Sequence, residues 1–163
     1  MKNKALNKTF LKNIDETAHL NSLSKKLIRF NNQYKDFDKF INDFELFLSD
    51  NIEIPSLNLS TQDKIFEGII HRLDALSDYK NITIKIYLES QKNPKYFLTI
   101  NKYINKFFKS FLNNRIEITK ASFIYIYAFN IWIEDNDSMD KTMAAIGNSF
   151  DTINKFQNIF KHD

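Results

Sequence analysis

Cysteine is absent from this chain of 163 residues, which excludes a disulfide frame and any thiolate chemistry. Glycine occurs only at Gly68 and Gly147, and proline only at Pro55 and Pro94. Folds rich in tight turns need both, because Gly supplies positive φ and Pro presets the turn. Their scarcity favours helices joined by short polar links. The longest apolar run, residues 121–133, is interrupted by Ser122 and Asn130 and is too short to span a bilayer. The first residues, Met1-Lys-Asn-Lys, lack the apolar stretch of a secretory signal, so a cytoplasmic protein is expected. Neither sign of charge dominates: 23 Lys and Arg stand against 20 Asp and Glu. A net charge of +3 permits nucleic acid or an anionic membrane as a partner and requires neither.

The chain is rich in aromatic residues instead. They make up 15% of it, with Phe dominant, and that much ring surface belongs in a core, an interface or a ligand pocket. The length suits one domain with a real core. Helical spacing of apolar residues predicts a helix over 6–20 with Phe10, Leu11, Ile14 and Ala18 on one side. A second helix, capped by Ser22, runs to Phe30 with Leu23, Leu27 and Ile28 inward. After a link at 31–33, Phe37, Phe40, Ile41, Phe44, Phe47 and Leu48 form the clearest amphipathic stripe. Residues 50–59, with Pro55, read as a loop. Ser60 or Thr61 caps the next helix, whose stripe is Ile65, Phe66, Ile69, Ile70, Leu73 and Leu76. Asp78 starts another helix, with Ile82, Ile86 and Tyr87 inside, and Pro94 suits the first position of the one after it.

Residues 118–133 are harder to read. Ile124-Tyr-Ile-Tyr-Ala-Phe-Asn-Ile-Trp-Ile133 has strand propensity and no clean helical stripe. A lone strand would have no partner elsewhere, whereas an apolar surface all round fits a helix buried between a core and a second subunit. A helix is therefore expected. Asp137 or Ser138 then caps a last helix lined by Met139, Met143, Ile146, Phe150, Ile153 and Phe156.

Three passages resemble the regulatory domain of TetR-type proteins over residues 63–160, near the branch of ubiquinone-biosynthesis lipid-binding proteins of that fold. They are Asp63-Lys-Ile-Phe-Glu-Gly-Ile-Ile-His-Arg-Leu-Asp-Ala-Leu76, the stretch from Tyr79-Lys80 to Pro94, and Trp132-Ile-Glu-Asp-Asn-Asp-Ser-Met-Asp140 with Thr142-Met-Ala-Ala145. The resemblance implies an all-α fold and a homodimer built from the last two helices, roughly 119–134 and 138–161. Its interface residues would be Ile124, Ile131, Trp132, Met143, Ile146 and Phe150. It also implies an apolar pocket among the middle helices. On this reading residues 1–50 are a degenerate helix-turn-helix head and 60–163 a ligand-binding and dimerisation domain, packed as one unit. Ser22-Leu-Ser-Lys-Lys-Leu-Ile28 resembles the second helix of the family's DNA-binding module, and Tyr34-Lys-Asp-Phe37-Asp-Lys-Phe-Ile41 the Tyr, Phe and Lys phrase that closes it. Only Arg29-Phe-Asn-Asn-Gln33 lies between, too short for a turn and a recognition helix, so reading of a DNA sequence is expected to be lost.

The aromatic set Phe97, Tyr103, Phe107, Phe108, Phe111, Phe123, Tyr127 and Trp132 lines a pocket or fills a core. The pocket version takes His71, Tyr103, Phe107, Phe111, Phe123 and Tyr127, with a Tyr or His71 orienting the polar end of a hydrophobic ligand. The acidic run from Glu134 to Asp140 lacks the spacing and Gly of a calcium loop and reads as a helix cap. No metal site, cofactor or catalytic constellation is expected. Lys102, Lys106, Lys109 and Arg115 make either a membrane-facing basic pattern or a solvated face over a buried stripe. The expected protein is a non-enzymatic homodimer that binds an apolar, lipid-like or quinone-like ligand or a protein partner. The alternative is a DNA-binding transcriptional regulator with a shortened head; a third is a helical adaptor without ligand.

Overall fold

A computed structural model describes the backbone of residues 6–16, 23–136 and 138–159, with side chains as far as residue 155. The expected positions Ala18 and Leu20, the caps Ser22 and Asp137, and the side chains of His19, Phe156 and His162 lie outside the described residues. Eight α-helices occur among the described residues, and no strand. They are α1 (Lys8–Glu16), α2 (Leu23–Phe30), α3 (Phe37–Ser49), α4 (Thr61–Ser77), α5 (Lys80–Lys92), α6 (Pro94–Lys109), α7 (Arg115–Trp132) and α8 (Asp140–Ile159). A single 3-10 turn, Asn32–Lys35, stands between α2 and α3.

Side-chain caps set most of the boundaries. Asp36 accepts from the Asp38 N–H at α3, and Asn114 from the Ile116 N–H at α7. Ser60 accepts from the Asp63 N–H and donates to the Asp63 carboxylate, a reciprocal cap for α4. Pro94 occupies the first position of α6, and Asn93 before it accepts from the Lys95 N–H. The ambiguous segment is a helix as far as Trp132, with Ile133 as its C-terminal cap.

The chain forms two compact units that do not follow chain order: 1–52 with 74–106, and 53–73 with 107–163. In the first, Leu11, Leu27, Phe40, Ile41, Phe44 and Ile82 are fully enclosed. Tyr79 at the start of α5 makes no side-chain cap. Asp15 of α1 supplies one instead, accepting from the Ile82 N–H at 2.7 Å and from the Asn81 amide at 3.2 Å. Asp38 of α3 holds the α6 residues Thr99 and Lys95, at 2.6 and 3.2 Å.

The second unit takes 61–73 of α4, the end of α6, α7 and α8. Ile65, Ile69, Leu73, Phe108, Ala121, Ala128, Trp132 and Ile146 are its innermost residues, and α7 packs along α8. Gly68 is buried where the Phe111 ring crosses α4: a Cβ built there would stand 2.6 Å from the ring tip. Phe111 has little room to swing away, because Phe107 and Phe108 flank it at ring-centroid distances of 5.2 and 5.9 Å. Gly68→Ala gains about 1 kcal/mol of helix propensity and incurs about 1–3 kcal/mol of overpacking. The expected result is a lower melting temperature by circular dichroism, restored by adding Phe111→Leu. A variant that melts higher on its own contradicts this packing.

Candidate functional site

The two sides of α7 differ sharply. Ile118, Ala121, Ile124, Tyr125, Ala128 and Trp132 recur at three and four and are buried. Between them, Ile116, Phe123 and Tyr127 stand at seven and four on the other side, with 64%, 70% and 54% of their surfaces exposed. Large apolar groups in such a row are unusual on a surface that stays in water. The polar residues interleaved with them are turned back on the helix. The Thr119 hydroxyl donates to the Arg115 carbonyl at 2.9 Å, and the Asn130 amide to the Ile126 carbonyl at 2.7 Å.

The amino-terminal half of this face borders an open groove of about 560 Å³, lined by Arg115, Ile116, Thr119, Lys120 and Phe123 of α7 and by Ile153 of α8. Lys120 pairs with Glu117 at 3.1 Å. Arg115 carries no ion pair among the described residues. A smaller, more polar hollow of about 230 Å³ shares the Lys120 and Ile153 walls and reaches Thr61 and Gln62 of α4.

Of the six residues assigned to a pocket, Tyr103 lies in the first unit and the other five in the second. Phe107 and Phe111 meet as buried, packed rings. Phe123 and Tyr127 point outward. His71 is half-buried, its Nδ1 3.1 Å from the Glu53 carbonyl. Tyr103 belongs to the first unit, where its hydroxyl donates to Asn42 at 2.7 Å. Burial, with Glu45 and Asp43 nearby, pushes the Tyr103 hydroxyl above its ordinary value and keeps its proton on. Of the six residues assigned to a dimer interface, Ile124, Trp132, Ile146 and Phe150 are enclosed within the chain, and Ile131 and Met143 are half-exposed. Helical phase explains both results: Ile124 and Trp132 share the inward side of α7, and Phe123 and Tyr127 the outward one. Lys102, Lys106 and Lys109 are exposed on α6, but Arg115 opens the next helix and is not part of their row.

Arg72 was not among the expected residues. It is 1% exposed, with its Nε donating to the Tyr125 hydroxyl at 3.2 Å and its guanidinium 5.4 Å from the Tyr125 ring centre and 5.9 Å from that of Phe107. Its position in the series Ile65, Ile69, Arg72, Leu76 was the available signal: a charge on a buried helical stripe must be held by specific neighbours.

The acidic turn after α7 caps α8 through Asp135, while Asp137 lies outside the described residues. The Ser138 hydroxyl lies 2.6 Å from an Asp140 carboxylate oxygen and 2.7 Å from the Asn136 side chain. Asp135 does the capping, accepting from the Thr142 N–H and hydroxyl, both at 2.8 Å. Met139, just before α8, has a φ of 54°, a left-handed conformation that costs a side chain about 1–2 kcal/mol. No group of three metal-ligating side chains occurs among the described residues. None of the described helices is long and apolar enough to cross a membrane.

No protein-family model, curated protein or solved structure matches the chain.

The Asp135 cap has a pH signature. Burial raises its carboxyl, but the bonds from Thr142 and Asn136 and the nearby Lys141 outweigh burial and hold it below the ordinary 3.8. A depressed folded value means that the stabilisation is present above the unfolded value and is lost as pH falls through the folded one. Asp135→Ala is therefore expected to melt lower than the parent at neutral pH. The gap should close in acid, below the ordinary carboxylate value; thermal melts showing the same gap at all pH values contradict the assignment.

Proposed function

We propose that this chain is a non-enzymatic, TetR-like helical binding protein that forms a homodimer by covering the outward face of α7 with a second copy, and that the groove on the same face is open to an apolar ligand. The observation that carries this reading is the exposure of Ile116, Phe123 and Tyr127 in one row. Hydrocarbon and aromatic groups in that arrangement are suited to burial. Burying a side chain such as Phe123 contributes about 1.5–3 kcal/mol. Across a two-fold axis every contact occurs twice, so three residues supply six buried groups. A lipid-like or quinone-like ligand follows the TetR-like resemblance, and the groove beside Phe123 is the place for it. The resemblance's DNA-reading function draws no support from the head. Between α2 and α3 stands one 3-10 turn, and α3 carries Asp38, Asp43 and Glu45 against a single Lys39.

Sedimentation of purified protein tests the dimer. The parent chain is expected to sediment as a dimer. Phe123→Glu loses one buried ring per copy and so two per dimer, about 3–6 kcal/mol, which weakens association by at least about a hundredfold. Because Phe123 is 70% exposed in the single chain, its replacement should leave helicity unchanged. A parent chain that sediments as a monomer at all concentrations overturns the reading.

A further inference from the structure

The groove beside α7 has a distinctive pairing of chemistries. Its floor is Ile116, Phe123 and Ile153, while Arg115 and Lys120 stand on its rim. Among the described residues the carboxylate paired with these two cations is Glu117, engaged with Lys120. The rim thus keeps a positive surplus, strengthened by the amino-terminal end of the α7 dipole. Among the described residues Phe123 is the one aromatic of the lining, and an aliphatic chain packs on Ile and Phe alike. Along α7 the lining runs from Arg115 to Phe123, a rise of eight residues or roughly 12 Å at 1.5 Å each. The volume also lies in the range of small-molecule pockets, about 300–1,000 Å³.

We infer that this groove binds a fatty-acid-like ligand, one unbranched acyl chain lying along Ile116, Phe123 and Ile153 with its carboxylate at Arg115 and Lys120. The ligand covers two of the three residues that the proposed dimer buries. Resting on that reading, ligand and second copy exclude one another, and the fatty acid shifts the protein from dimer to monomer by mass action.

Dodecanoate below its micelle concentration is the probe, added to the full-length chain. Calorimetry reads binding, and sedimentation reads subunit number. Dodecanoate is expected to bind once per chain and to dissociate the dimer. Arg115→Gln should weaken binding about tenfold, the usual loss for a charge-assisted hydrogen bond, without changing the dimer in the absence of ligand. Dodecanol should bind at least about tenfold more weakly than dodecanoate for the same reason. Equal affinity for dodecanol overturns the role of the cationic rim. Binding of inorganic phosphate alone marks a plain anion site, and binding only to vesicles of anionic phospholipid marks a membrane surface; either result overturns the inference. Dodecanoate bound to a chain that is monomeric from the start leaves the groove assignment standing and refutes the dimer. Dodecanoate bound to an intact dimer overturns the exclusion.

Discussion

Helix α7 carries apolar side chains around nearly its whole circumference, and a helix of that kind needs cover on two sides. Its inward half has that cover. Ile118, Ala121, Ile124, Tyr125, Ala128 and Trp132 are buried within the second unit, where Trp132 lies beside Phe129 with ring centres 5.5 Å apart. The outward half, Ile116, Phe123 and Tyr127, meets water in the single chain. Exposed aromatic surface of this extent has a standing free-energy cost of a few kcal/mol at about 25 cal/mol per Å². Whatever removes it from water gains that energy, and the proposed partner and ligand both follow from this imbalance.

The rest of the second unit explains why the helix cannot simply roll its exposed rings inward. Arg72 is held against Tyr125 by a hydrogen bond and by its ring face, which sets the rotation of α7 about its own axis. Gly68 lets the Phe111 ring approach α4 closely. Asp135 fastens the start of α8 to the turn that ends α7. With these contacts made, Ile124 and Trp132 must face in and Phe123 and Tyr127 must face out. A buried cation and a fitted ring have few alternative arrangements, so the interior acts as a register for the exterior.

Much of the helical layout was legible in the residues. The stripe from Phe37 to Leu48, the Ser60 cap and Pro94 at a first position all carry local signals, and each lies where its chemistry predicts. The phase of α7 was not legible. Where every position is apolar, periodicity holds no information about which side turns inward, and the choice falls to contacts distant in sequence such as Arg72 with Tyr125. The same holds for the aromatic set. Type and spacing alone do not separate the packed rings of Phe107 and Phe111 from the exposed ones of Phe123 and Tyr127. The Asp135 cap was missed because it lies farther from the helix start than the usual capping position, and because Met139 interrupts the turn with a positive φ. The resemblance to TetR-type proteins supplied the idea that the last two helices serve a dimer. Within the single chain Ile124, Trp132, Ile146 and Phe150 turn inward, and Phe123 and Tyr127 turn outward.

The central claim is that the outward side of α7 is covered by a second copy in solution. Native mass spectrometry of the freshly purified chain tests it most directly. Each chain weighs 19.4 kDa. The account predicts a dominant species of twice that mass, which gives way to single chains on dilution. A single chain as the dominant species at every concentration, with no other molecule attached, would contradict it.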